Sequence, residues 1–127
     1  MPMRQVIFKV IPHSQHRYET VGDYWYHGEI EEVRVSDMEN EDYEFLVFIH
    51  ELIEAHLCRK RGILEETITE FDKKFETVRP EGNTDEPGDS PAAPYQKEHQ
   101  FATKIERQLA EELGVDWDVY GERVMSL

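Results

Sequence analysis

Residues 43–61 read YEFLVFIHELIEAHLCRKR, a stretch with no glycine or proline, with Arg59, Lys60 and Arg61 at its end and Gly62 immediately after it. Positive charge in a last turn and a glycine just beyond it are helix-stop signals, so the segment is expected to be one helix. Around His50, Glu51 and Glu54 stand Phe45, Leu46, Val47, Phe48, Ile49, Leu52, Ile53, Ala55 and Leu57, which predicts a helix buried on most sides.

On the N-terminal side of this helix the pattern changes. Residues 4–11, RQVIFKVI, are β-branched and aromatic and stop at Pro12, as a first strand should. The stretch 18–36, YETVGDYWYHGEIEEVRVS, continues in that style. Turn points at Gly22-Asp23 and His27-Gly28-Glu29 would leave strands at 23–26 and 29–35. In the latter Ile30, Val33 and Val35 do not alternate cleanly, so its register stays open. A small antiparallel sheet is the expectation.

On the C-terminal side, Ile68, Phe71, Phe75 and Val78 recur at helical spacing within a helix at 63–77, whose start is weakly capped because Leu64 stands where Ser or Asp would serve better. Residues 79–94, RPEGNTDEPGDSPAAP, hold four of the six prolines and read as a long structureless connection. Residues 95–113 return to helix, with Phe101, Ile105, Leu109 and Leu113 and the smaller Ala102 and Ala110 on one side and Gly114 closing it. Asp116 can cap a last short helix that carries Trp117 and Tyr120 into the core. Strands first and helices after indicate one α+β domain over 1–127, with helices on one face of the sheet.

Composition narrows the function classes. With 28 acidic and 14 basic residues the formal charge is −14, and no Lys/Arg stripe exists to neutralise phosphates, so direct nucleic-acid binding is not expected. The longest apolar run, 45–49, is too short to cross a bilayer, and the start lacks the features of a secretory signal, which makes the cytoplasm the default location. Tyr24, Trp25, Tyr26, Trp117 and Tyr120 read as core, since no basic groups are interleaved with them. A single cysteine, Cys58, rules out internal disulfides and reads as a small buried hydrophobe. Any metal would have to be held by His, Glu or Asp.

HELIE, residues 50–54, supplies such ligands. Residues four apart on a helix lie about 40° from each other around the axis, so His50 and Glu54 point the same way, and Glu51 approaches from about 100° to the side. Two carboxylates in a greasy helix need a cationic partner, a raised pKa or a metal ion. A divalent ion, zinc in the first instance, would neutralise Glu54, fix the tautomer of His50 and leave Glu51 beside a water as general base. The third ligand should come from another element, and His99 at the start of the third helix is the choice; His56 points about 120° away from His50. Glu106, seven residues after His99, shares its helical face and suits an outer acceptor or fourth ligand. Asp72 is a further ligand, a hydrogen-bond partner for a ligating His, or, as the plainer reading, an exposed residue between two buried phenylalanines. The plainer alternatives are a core histidine satisfied by backbone, and glutamates paired with Arg59, Arg61 or Lys104.

HELIE in a buried helix after a sheet resembles the active-site helix of zincin-type metallopeptidases, in the variant where Glu replaces the second His of HExxH. The longer stretches FLVFIHELIEAHLCRKRGI and EPGDSPAAPYQKEHQFATKIERQLAEELGVDW are similar to a group of small phage and bacterial proteins beside the zincins, which brings no activity of its own. The zincin likeness implies metal ligation by His50 and Glu54 and general-base work by Glu51. It leaves the third ligand open, because Cys58, Arg59 and Lys60 follow where a longer zincin motif would continue.

A zinc hydrolase of this kind would act on a peptide or protein laid along the sheet edge. The competing class is an acidic binding module without chemistry, whose charge mimics a nucleic acid or fits a basic protein. A metal-dependent nucleotide hydrolase would instead pair Glu51 and Glu54 with Glu66 and Glu70 across two helices. Burial of Glu51 and Glu54 with His50 around one point separates the first class from the second.

Overall fold

The structure is a computed structural model, and it describes residues 3–83 and 85–127; Met1 and Pro2 at the start, and Thr84 in the connection, lie outside the described residues. Three strands, β1 (Gln5–Ile11), β2 (Gly22–His27) and β3 (Ile30–Ser36), precede four helices, α1 (Glu41–Lys60), α2 (Glu65–Thr77), α3 (Gln96–Glu112) and α4 (Trp117–Met125). The α+β order read from the sequence is the order found. No helix among the described residues is long and apolar enough to cross a membrane.

The sheet is mixed rather than antiparallel. Its order is β1-β3-β2, with β2 antiparallel to β3 and β1 parallel to it. The cause is topological: after Pro12 the chain makes a short 3₁₀ turn at His13–Gln15 and crosses to the far edge before β2 begins. The tight turn at Gly28, whose φ is 65°, then returns β3 between the two earlier strands. Strand composition does not encode pairing direction. Gly22 was expected in a turn, yet it opens β2 in the sheet ladder. Val33 and Val35, fully buried, alternate with Glu32 and Arg34, which bond to each other on the opposite face.

In α1, the Asn40 side chain accepts from the Tyr43 amide at 3.0 Å, and Glu41, Asp42 and Glu44 fill the first turn. Both features suit a helix N-terminus, and they start α1 two residues before the expected start at Tyr43. Gly62, at φ 73°, follows the helix end. The helix buries one stripe, Leu46, Val47, His50, Glu54, Ala55 and Cys58, and not most of its sides; Phe45 is 39% exposed. A small sheet covers only part of a twenty-residue helix. Phe8 of β1 extends that cover by stacking on Phe48, ring centroids 4.2 Å apart.

The helix α2 begins after Leu64, which supplies no side-chain cap, as its chemistry predicts. The buried seam of α3 is Glu98, His99, Ala102, Glu106 and Ala110, a correction to the apolar side expected for it; Phe101 is 48% exposed and Leu113 also reaches solvent. Ala102 and Ala110 let α3 close on α1, and the polar residues between them find partners across the gap. Asp116 caps α4 by accepting from the amides of Asp118 and Val119, and Tyr120 is buried. Cys58 is buried in the apolar core. Trp25 departs from the core reading: the guanidinium carbons of Arg17 and Arg34 lie 4.5 and 4.7 Å from its ring centroid, and Arg107 similarly covers Trp117 at 5.5 Å. These arginines stand outside the aromatic stretches themselves, and turns of the chain bring them over the indoles.

Candidate metal centre

One turn of α1 and the first turn of α3 bring three donor atoms to one point. His50 Nε2 is 3.1 Å from Glu54 Oε2 and 3.2 Å from His99 Nδ1, and His99 Nδ1 is 2.9 Å from the same Glu54 oxygen. All three residues are buried. His50 and Glu54 share the buried stripe of α1 because four residues make just over a full turn. His99 faces them because the Ala102 and Ala110 seam sets α3 against α1.

The outer nitrogens of both rings are also engaged. His50 Nδ1 lies 2.8 Å from Glu106 Oε1, and Tyr120 donates its hydroxyl to the second Glu106 oxygen at 2.6 Å. His99 Nε2 lies 3.1 Å from Glu86 Oε2 and 3.3 Å from Asp89 Oδ1. An imidazole that donates from one nitrogen to a carboxylate turns its remaining lone pair outward from the other. In this arrangement both inner nitrogens, His50 Nε2 and His99 Nδ1, face the same Glu54 oxygen.

The ionisation of the three groups follows from this crowding. Burial on its own would keep His50 neutral, but its bonds to Glu106 and Glu54 outweigh that and hold its pKa well above the usual value. His99 behaves likewise: burial opposes its charge, and Asp89, Glu54 and Glu86 overcome it, pushing it up to about 12. Burial would raise Glu54, yet the two imidazoles pull it down to about 2. The point between these side chains demands positive charge, which protons or a metal cation can supply.

His50, His99 and Glu86 form a group that could hold a metal ion, each offering one ligand atom within 4.8 Å of the others. Glu54 approaches both rings more closely still. A tetrahedral zinc with ligands at roughly 2.0–2.1 Å sets its donors about 3.3 Å apart, and the separations among His50, Glu54 and His99 are within a few tenths of an ångström of that.

Glu51 lines the same cavity, a hollow of about 600 Å³, and stands against β2. A Cβ at residue 22 would sit 2.8 Å from Glu51 Cγ and 2.9 Å from Val47 Cγ1, so only glycine lets β2 pass this closely. Burial, with the charge of Glu54 added, holds the Glu51 carboxyl well above its ordinary range. The glutamates do not pair with Arg59, Arg61 or Lys104: Arg61 bonds Glu98 at 2.6 Å and Arg59 lies over Tyr26. Glu66 and Glu70 are exposed on α2 and His56 on α1, all outside the cavity lining.

Asp72 is buried, not exposed. It accepts from the hydroxyls of Tyr95 and Tyr18, the latter at 3.0 Å, and burial lifts its pKa to about 7 against those two bonds. Nothing local in the Phe71-Asp72-Lys73 sequence signals this, because both tyrosines arrive from other segments. The contribution of the 79–94 connection was also absent from the sequence reading. It is not structureless: a 3₁₀ turn at Pro87–Asp89 lies over His99, and a Cβ on Gly88 would overlap the His99 ring. An acid-Pro-Gly-acid run, Glu86 to Asp89, is the only local sign of it.

The outward amides of β2 are already engaged. Gly22 N bonds Thr20 Oγ1 at 3.4 Å, Tyr24 N bonds the Asp23 side chain at 2.9 Å and Tyr26 N bonds Glu65 Oε2 at 3.0 Å. An extended peptide added to this edge would find these three donors taken. Comparison of the chain with protein-family models, curated proteins and solved structures finds no match.

Proposed function

We propose that this protein is a divalent-metal-dependent hydrolase of zincin type, with zinc the first candidate ion, held by His50, Glu54 and His99. The observation that carries the reading is the convergence of two imidazole nitrogens on one carboxylate oxygen, each ring backed by a second carboxylate. Zinc bound there would supply Lewis acidity toward a carbonyl oxygen and a water whose pKa falls toward ~7.

The chain's own residues account for the rest. Glu106, fixed by Tyr120, holds the His50 ring in the tautomer that turns Nε2 inward. Glu86 and Asp89 do the same for His99 from the other side. Glu51, in the cavity wall one helical position after His50, is the carboxylate placed to take a proton from an attacking water. With the β2 edge engaged, the bond to be cleaved enters the cavity rather than lying along the strand. A peptide or other acyl compound of compact shape is the substrate class this favours. The acidic binding module is the weaker reading, because Glu54 is buried with His50 instead of facing solvent.

The test separates binding from chemistry. Purified protein should carry one equivalent of zinc that His50→Ala loses, and Glu51→Gln should keep the zinc while losing turnover on acyl and peptide substrates. Zinc absent from the wild type after growth with added metal would discard the proposal.

A further inference from the structure

Two features set Glu86 apart from the other carboxylates around the two histidines. Its side chain is 57% exposed and sits on the 79–94 connection, whereas Glu54 and Glu106 are buried on α1 and α3. It also belongs, with His50 and His99, to the group whose ligand atoms all lie within 4.8 Å of one another, although in the present arrangement its Oε2 bonds the outer nitrogen of His99. Asp89, equally close to that nitrogen and similarly exposed, does not belong to the group.

Three donors from His50, Glu54 and His99 leave a tetrahedral ion one open position. Resting on the metal reading above, we infer that Glu86 is an exchangeable fourth ligand, which alternates between bonding His99 and occupying that position. Its carboxylate already lies within 4.8 Å of a ring nitrogen of each histidine, and rotation of an exposed side chain can carry it from the outer nitrogen of His99 toward the ion. Gly88, lying without a Cβ on the His99 ring, keeps the connection close enough for the exchange. The connection then regulates the centre: with Glu86 in place the fourth position is closed to an incoming ligand, and with Glu86 on His99 it is open.

Cobalt(II) in place of zinc makes this visible. Azide titrated into the cobalt protein competes with Glu86 for the fourth position, and a ligand present there most of the time weakens apparent azide binding by the fraction of centres left open. The expected result is that Glu86→Gln binds azide about tenfold more tightly than wild type and changes the cobalt visible spectrum before azide is added, while Asp89→Asn, which also loses a charged partner of His99 but vacates no position on the ion, does not tighten azide binding. Equal azide affinity in wild type and Glu86→Gln overturns the inference, as does an equal change in both variants, which would make Glu86 only a hydrogen-bond acceptor for His99. Failure of wild-type protein to bind cobalt stoichiometrically would remove the metal reading itself, a result distinct from both.

Discussion

Glu54 and Glu31 are both buried glutamates in layers packed against the same sheet-helix core, and they end in opposite states. Glu54 on α1 meets two imidazoles and is held ionised at about 2. Glu31, fully buried on the β3 face it shares with Val33 and Val35, has no hydrogen-bond partner for either oxygen among the described residues. Burial lifts it to about 7, with only partial relief from the charge of Arg59. Burial penalises both carboxylates alike; partners decide whether the charge survives. A carboxylate kept charged in the interior marks a place built to receive positive charge.

The largest effect should come from breaking the satisfied member. In metal-free protein Glu54→Ala leaves His50 and His99 facing each other without their shared anion, and should cost about 3–5 kcal/mol in urea unfolding. A cost below about 1 kcal/mol would mean that the histidines do not depend on Glu54.

Glu31→Gln should act in the opposite direction. The folded pKa of about 7 lies above the unfolded value of about 4.5, so the folded state binds the proton more tightly. Stability is therefore highest below the unfolded value and falls as pH rises through 7, by about 3 kcal/mol at most. The glutamine variant should be more stable than wild type by up to that amount at pH 8 and equal to it at pH 4. Unfolding curves at the two pH values check this, and equal stability at pH 8 would show that Glu31 ionises without cost.

Glu106→Gln keeps an oxygen near His50 but removes its charge, and should weaken zinc binding by roughly 10–100-fold in a chelator competition. The smallest effect belongs to a site remote from both carboxylates. Asn40→Ala removes the α1 cap at a cost of about 1 kcal/mol in thermal or urea unfolding and should leave zinc affinity unchanged. A change in affinity there would mean that the centre is sensitive to the start of α1 as well as to its middle.

The local elements were legible because local chemistry makes them. Gly62 after α1, the poor cap at Leu64 and the Asp116 cap of α4 are read directly from adjacent residues. The pairing of His50 with Glu54 was equally legible, since one helical turn is a matter of spacing alone. His99 was reached by element order, and Glu106 by its seven-residue offset from His99. Glu86, Asp89 and the tyrosines on Asp72 and Glu106 had no such handle, because they arrive from segments whose spacing says nothing about where they meet.

The chain by itself determined where its helices start and stop and which side chains of a single helix look the same way, since these depend on dihedral preference and short-range bonding. Tertiary structure decided the parallel pairing of β1 with β3, the polar seam of α3 and the closed edge of β2. It also decided which buried carboxylate keeps its charge. Those outcomes depend on contacts between residues far apart in sequence, where burial and partner geometry outweigh local propensity.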